Sequence, residues 1–316
     1  MSRKPIIIDT DPGVDDFFAI LLAASSPKLD VRAITTVAGN CRLAVTSRNA
    51  LAITERYGLS IPVAKGASEP MNTPLHTAEH IHGEQGLGKL AVDQPVGDFS
   101  SQYAWDVIYR EAVKQNGALE LIALGPLTNI AIALLKYPDL AKRIKRIVFM
   151  GGSTDIGNVT PYAEFNIYVD PLAADIVLQS GIPLVMVGLN VTMRTLLVPE
   201  EIDSLTAGDS MICKDCRILA DCVADAYRQA CYTNEIALHD ALAVAYAIDP
   251  NVLECKELAV MVERKSRLNM GRTAVETDFV SNPHKKNCHV ALSSNKERFV
   301  SLLGDMIRFY TERKEQ

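Results

Sequence analysis

Along the first two thirds of the chain, short apolar runs alternate with segments of helical period. Residues 5–9, 31–38, 61–64, 119–124, 146–150 and 184–189 are runs of strand length rich in Val, Ile and Leu. They are nearly continuous rather than alternating, which is the pattern of strands buried on both faces. Between them, residues 16–24, 44–57, 103–115, 129–135 and 172–179 read as helices. Strand–helix–strand repetition implies right-handed crossovers. The fold class is therefore α/β: a Rossmann-like, mostly parallel central sheet flanked by helices.

The C-terminal third adds extra helices and short strands. Residues 216–229 and 241–247 read as helical, and residues 258–263, 273–278 and 289–292 as shorter strands, an added ribbon. A final helix is expected over 297–311. No linker rich in Pro, Gly or Ser divides the chain, so residues 1–316 are read as a single domain.

Charge narrows the choice of partners. Asp and Glu number 38 against 32 Lys and Arg, a net charge of -6. That balance excludes a general nucleic-acid binder, which needs a basic surface to replace counterions, and it argues against a membrane-surface protein. The apolar run Ile6-Ile7-Ile8 stops at Asp9, too short for a signal-peptide core, and no stretch is long enough to span a bilayer. A cytoplasmic protein is expected. Seven cysteines without a signal peptide point to reduced thiols, and the lone Cys213-Lys214-Asp215-Cys216 pair lacks the second pair of a zinc ribbon.

The sharpest chemistry lies at Asp9-Thr10-Asp11-Pro12-Gly13-Val14-Asp15-Asp16. A buried strand ends in an acid, Pro12-Gly13 forces a turn, and Asp15 and Asp16 open a helix. Asp9 and Asp11 share a side if the strand runs through both. Four carboxylates in eight residues repel one another unless a hard divalent cation, Ca²⁺ or Mg²⁺, or raised pKa values relieve them. Further polar clusters close other strands: Val37-Ala38-Gly39-Asn40, Leu124-Gly125-Pro126-Leu127-Thr128-Asn129 and Met150-Gly151-Gly152. The segment from Gly157 to Asn166 carries Asn158, Glu164 and Asn166. If it is extended, Glu164 and Asn166 share a face, and amides beside a carboxylate suit vicinal hydroxyls. His239-Asp240 precedes a helix, and His80-Ile81-His82-Gly83-Glu84-Gln85-Gly86-Leu87-Gly88 has the composition of a lid.

At these residues the sequence resembles the inosine–uridine nucleoside hydrolase family. The matching motifs are Asp9-x-Asp11-Pro12-Gly13-x-Asp15-Asp16, Val37-Ala38-Gly39-Asn40, His82-Gly83-Glu84-x-Gly86, Gly125-Pro126-Leu127-Thr128-Asn129, Met150-Gly151-Gly152, Ala163-Glu164-Phe165-Asn166 and His239-Asp240. The resemblance implies a ribonucleoside N-glycosidase with one bound Ca²⁺, assembled as a homodimer or homotetramer. It implies Asp11 as general base and metal ligand, with Asp16, Asp240 and the backbone carbonyl of Leu124 completing the metal set. Asp15, Asn40, Asn158, Glu164 and Asn166 would bind ribose, alongside Met150 and Phe165 of the same motifs, and Asp9 would support the site. His82 and His239 would face the base, with His239 as acid for the leaving group. Phe17-Phe18 departs from the family pattern toward larger side chains. In the base-contacting segment Cys231 replaces a tyrosine of some pyrimidine-preferring members, leaving Tyr227 to stack on the base or donate to it.

Two other readings share features with this one. A phosphohydrolase of the haloacid-dehalogenase type also opens with a strand and Asp-x-Asp, but wants Thr or Val where Gly13 stands. A nucleoside or calcium sensor on the same scaffold would lack the catalytic acids, which are present here.

Overall fold

The computed structural model describes residues 3–231, 233–277, 281 and 283–313, and for Ala230 and Cys231 the backbone alone. The expectations at Tyr232, at Asp278 and for the Cys231 side chain lie outside the described residues.

Ten strands are described: β1 (Lys4–Thr10), β2 (Leu29–Thr36), β3 (Val63–Lys65), β4 (Leu119–Ala123), β5 (Ile144–Met150), β6 (Leu184–Val187), β7 (Leu253–Leu258), β8 (Val260–Val262), β9 (Thr273–Val275) and β10 (Cys288–Ser294). Eight form one sheet in the order β3-β2-β1-β4-β5-β6-β10-β7. Every pairing in it is parallel except β10 with β7. This is the expected α/β sheet.

Both faces are covered, which is why the strands read as continuous apolar runs. On β1, Ile6 and Ile8 enter one core and Ile7 the other, the period of two that a strand imposes. The first core holds the helices Val14–Ser25, His239–Ile248 and Lys296–Glu312; the second holds Ala104–Lys114, Thr128–Lys136 and Pro171–Leu178. The helix Val14–Ser25 is buried from Val14 through Ala23, as its nearly uninterrupted apolar sequence requires. Its Phe17 ring meets Phe18 and Tyr57 edge-on at 5.8 and 5.7 Å between centroids, so the bulky pair is absorbed by packing.

The C-terminal third departs from expectation in two respects. The run at 289–292 belongs to β10 of the main sheet, and only β8 and β9 form a separate two-stranded ribbon. The run at 258–263 divides: Leu258 ends β7 and residues 260–262 form β8. Most of β7 carries no apolar signal, because it is the sheet's edge and Glu254, Lys256 and Glu257 line it. Among the described residues no helix is long and apolar enough to cross a membrane.

Strand order reverses between β1 and β4. The crevice outside the carboxyl ends of these two strands is where an open α/β sheet leaves room for a ligand. Asp9 pairs with Ala123 across them, and the Leu124 N–H donates to the Asp9 carbonyl at 2.7 Å. Asp11 and Leu124 therefore emerge side by side at the switch point.

Candidate active site

Asp11 follows the end of β1 and is fully buried. Its Oδ2 accepts from the Asn40 N–H at 2.7 Å, while its Oδ1 has no hydrogen-bond partner among the described residues. Two glycines make room for the carboxylate. A Cβ on Gly39 would stand 2.1 Å from Oδ2, and one on Gly125 would stand 2.5 Å from Oδ1. The glycines that close the second and fourth strand motifs are thus explained by close approach to one side chain.

The chain turns at Pro12-Gly13 into the helix Val14–Ser25, and Asp15 and Asp16 occupy its first turn. Asp16 accepts from the Gly13 N–H at 2.8 Å, from Asn40 Nδ2 at 3.3 Å and from the Thr10 hydroxyl. Asp240 lies in the first turn of the helix His239–Ile248, so two helix N-termini deliver acids to one point. Ligand oxygens of Asp15, Asp16 and Asp240 lie within 4.8 Å of one another, a group able to hold a metal ion. The sequence expectation placed Asp11, Asp16, Asp240 and the Leu124 carbonyl in the metal set and Asp15 on ribose. The geometry sets Asp15 beside Asp16 and Asp240, while the Leu124 carbonyl accepts from Asn166 Nδ2 at 2.7 Å.

Burial pushes all four acids up. Asp11 and Asp240 are held well above the usual carboxylate range, first by burial and then by neighbouring acids: Asp16 for Asp11, Asp15 and Asp16 for Asp240. Asp15 and Asp16 are raised by burial too. A buried, mutually repelling quartet with an unpartnered oxygen is the environment that a hard divalent cation relieves.

Both predicted histidines border this cluster. His82 ends the short helix Glu79–His82, and its Nδ1 accepts from the Val14 N–H at 3.1 Å. Burial holds its pKa down at about 4, so it is neutral at pH 7, with the proton on Nε2. His239 has both nitrogens engaged: Nδ1 with the Thr192 hydroxyl at 2.7 Å and Nε2 with the Tyr227 hydroxyl at 2.9 Å. Its pKa is lowered by burial and raised in part by Asp15.

The segment around Glu164 is not extended. Residues Phe165–Val169 form a helix, and Glu164 caps it. The Glu164 carboxylate accepts from the N–H groups of Asn166 and Gly152, each at 2.9 Å, and of Ile167 at 3.2 Å. Burial nevertheless lifts its pKa to about 7. Asn166 reaches back across the sheet edge, donating to the carbonyls of Leu124 and Met150 at 2.7 and 3.2 Å. Asn158 is exposed, and its Oδ1 accepts from the Phe165 N–H at 2.9 Å.

Asp9 points elsewhere. Its Oδ1 accepts from Thr35 at 2.5 Å and from Asn129 at 2.8 Å, while Oδ2 is buried without a partner among the described residues. Asp9 therefore braces β1 against β2 and the helix Thr128–Lys136 rather than sharing the carboxylate cluster. Thr10, Thr35 and Thr192 escaped notice in the sequence because a threonine in an apolar run has an ordinary strand or helix explanation. Cys213 and Cys216 lie in the helix Met211–Cys231, and the six cysteines whose side chains are described carry free thiols.

Comparison with known proteins shows which chains this one resembles. A family model described as inosine-uridine preferring nucleoside hydrolase matches residues 6–301. A pyrimidine-specific ribonucleoside hydrolase, RihA, of Escherichia coli (strain SMS-3-5 / SECEC) is 37% identical over 308 residues, covering 97% of this chain and 99% of that protein. A plant nucleoside hydrolase structure superposes with a TM-score of 0.91 at 33% identity, covering 97% of this chain and 99% of its own. A purine-preferring ribonucleoside hydrolase from Gardnerella vaginalis gives 0.90 at 33% identity with the same coverage.

Proposed function

The chain belongs to the inosine-uridine preferring nucleoside hydrolase family, and we propose that it cleaves ribonucleosides with Asp11 as general base beside a bound Ca²⁺. It is a hydrolase acting on the N-glycosidic bond of ribonucleosides, yielding ribose and a free base. The family match leaves no place for the haloacid-dehalogenase reading.

The observation that carries the mechanism is the Asp11 carboxylate, fully buried at the sheet's switch point with one oxygen unpartnered among the described residues. Asp15, Asp16 and Asp240 form a group able to hold a metal ion, and with Asp11 and the Leu124 carbonyl, which the family likeness adds, they would make an all-oxygen donor set that suits Ca²⁺. When bound, such an ion would supply positive charge to relieve the quartet and to lower the pKa of a neighbouring water. Asp11 takes the proton as the oxygen of that water bonds to C1′. The C1′–N bond breaks through an oxocarbenium-like state, and its electron pair leaves on the base. Asp15, Asn40 and Asn166 hold the ribosyl ring, and the Glu164 carboxylate offsets its developing charge. Asn158, Met150 and Phe165 complete the ribose side. On the base side, His239 returns a proton to the leaving nitrogen, with the Tyr227 hydroxyl bonded to it, and His82 offers a neutral Nε2–H donor.

Uridine and cytidine are the first substrates to assay, because the 37% relative is named pyrimidine-specific, and inosine belongs beside them because the Gardnerella vaginalis neighbour is named purine-preferring. Release of reducing sugar from these nucleosides tests the reading. Asp11→Asn is expected to lower kcat by about 10²–10⁴-fold while the far-UV spectrum is kept. Near-normal turnover in that variant would remove Asp11 from the mechanism. Calorimetric binding of uridine without its consumption would instead indicate a sensor. We extend the proposal to a cytoplasmic homodimer or homotetramer, on the family likeness.

A further inference from the structure

Asn49 lies in the helix Leu43–Arg56, outside every motif of the catalytic reading, and is fully buried. Its two amide hydrogens go to two different loops. Nδ2 donates to the carbonyl of Pro12, in the turn that carries the aspartates, at 3.1 Å. It also donates to the carbonyl of Gln85, in the loop that follows His82, at 2.9 Å. The remaining amide oxygen accepts from Arg48 at 2.8 Å, and Arg48 itself donates to the Gln85 carbonyl at 3.0 Å. A buried primary amide with both hydrogens spent on carbonyls of separate loops ties those loops to each other.

Two further contacts lie on the same seam. Gly86 comes so near that a Cβ there would stand 2.6 Å from Asn49 Nδ2 and 3.3 Å from the Pro12 carbonyl oxygen, and its φ of +77° disfavours any side chain. One residue beyond Gly13, the Val14 N–H donates to His82 Nδ1. The aspartate turn and the His82 loop are thus joined at two places, Val14 to His82 and Pro12 to Gln85 through Asn49, with Gly86 closely approached by Asn49 between them.

We infer that Asn49 is a positioning residue, a clamp that holds the His82 loop closed on the aspartate turn so that His82 and the carboxylates are presented to the nucleoside as one unit. Asn49 touches neither substrate nor metal; its influence on turnover passes through His82. The inference rests on the proposed role of His82 at the base, and its test keeps the two apart.

The test is a double-mutant cycle between Asn49→Ala and His82→Ala, read as kcat/KM for uridine, with amide hydrogen exchange of residues 83–89 as a second readout. Asn49→Ala is expected to lower kcat/KM roughly tenfold in the wild-type background and by less than about twofold when His82 is already alanine. It is also expected to speed exchange at Gly86 and Gly88, whose N–H groups donate to Gly83 and His82 within the loop. Equal losses in both backgrounds overturn the clamp and leave Asn49 a purely structural residue. If His82→Ala alone changes nothing, the role of His82 falls, and exchange decides for Asn49: faster upholds the clamp, unchanged overturns it. Gly86→Ala disturbs the seam from the loop side and enters the same cycle should Asn49→Ala fail to fold.

Discussion

At the scale of single residues, environment decides what each acid and histidine does. Asp9 and Asp11 are two positions apart on one strand end, yet their surroundings divide them. Each keeps one oxygen without a partner among the described residues, but the other oxygen of Asp9 is held by the Thr35 and Asn129 side chains, whereas that of Asp11 accepts from the Asn40 N–H and its carboxylate is flanked by Gly39 and Gly125. His82 is committed at Nδ1 and held neutral, so it is a hydrogen-bond donor rather than a strong acid. Burial lowers the His239 pKa too, with Asp15 opposing it, but its two nitrogens are bonded to the Thr192 and Tyr227 hydroxyls, so it can pass a proton from one side to the other. A purine anion leaves less readily than uracil, so His239→Ala is expected to slow inosine by about 10²-fold and uridine by less, as steady-state rates would register. An equal loss on both nucleosides would detach His239 from the leaving group. The residue types were legible in the sequence. Their division of labour was not, because it follows from neighbours 26 and 120 positions away for Asp9 and 47 for His239.

At the scale of elements, two helix N-termini and two strand ends meet. The first turns of Val14–Ser25 and His239–Ile248 bring Asp15, Asp16 and Asp240 together, and partial positive charge at each N-terminus eases but does not cancel their repulsion. The apo protein bears a consequence that depends on pH. Burial lifts Asp9 and Glu164 to about 7, and Asp11 and Asp240 well above the usual range. In the unfolded chain these groups release protons near pH 4, so between there and about 7 the folded state binds more protons. Stability of the calcium-free protein should therefore fall as pH rises through that window. A cation held by these acids, which we propose to be Ca²⁺, would require them ionised, so its stabilisation should grow with pH. Melting curves from pH 5 to 8, in chelator and in millimolar Ca²⁺, are expected to diverge as pH rises. At a free concentration a hundred times the dissociation constant, the ion would contribute about 2.7 kcal/mol. Curves that stay parallel would argue against a carboxylate-held cation. The helix that Glu164 caps is not legible in the sequence, because its five residues are too few to declare a helical period.

At the scale of the whole molecule, the eight-stranded sheet draws on residues 4 through 294, and its two cores share every central strand. We propose that the chain unfolds as one domain. Calorimetry is expected to show a single transition whose van't Hoff and calorimetric enthalpies agree; two resolved transitions would divide it. The sequence alone determined the class of fold and the ends of most strands and helices to within a few residues, and it offered the acids and histidines that we propose for the chemistry. It could do so because burial on both faces writes a continuous apolar run, and because polar residues clustered at strand ends have few structural uses. The tertiary structure decided what depends on distant chain. It placed the switch point between β1 and β4, which sets Asp11 beside Leu124 across more than a hundred residues. It drew the C-terminal strand β10 into the main sheet and made the polar segment β7 its edge. It also laid the loop after His82 against the aspartate turn, a contact made through a buried asparagine that no local pattern distinguishes from any other helical residue.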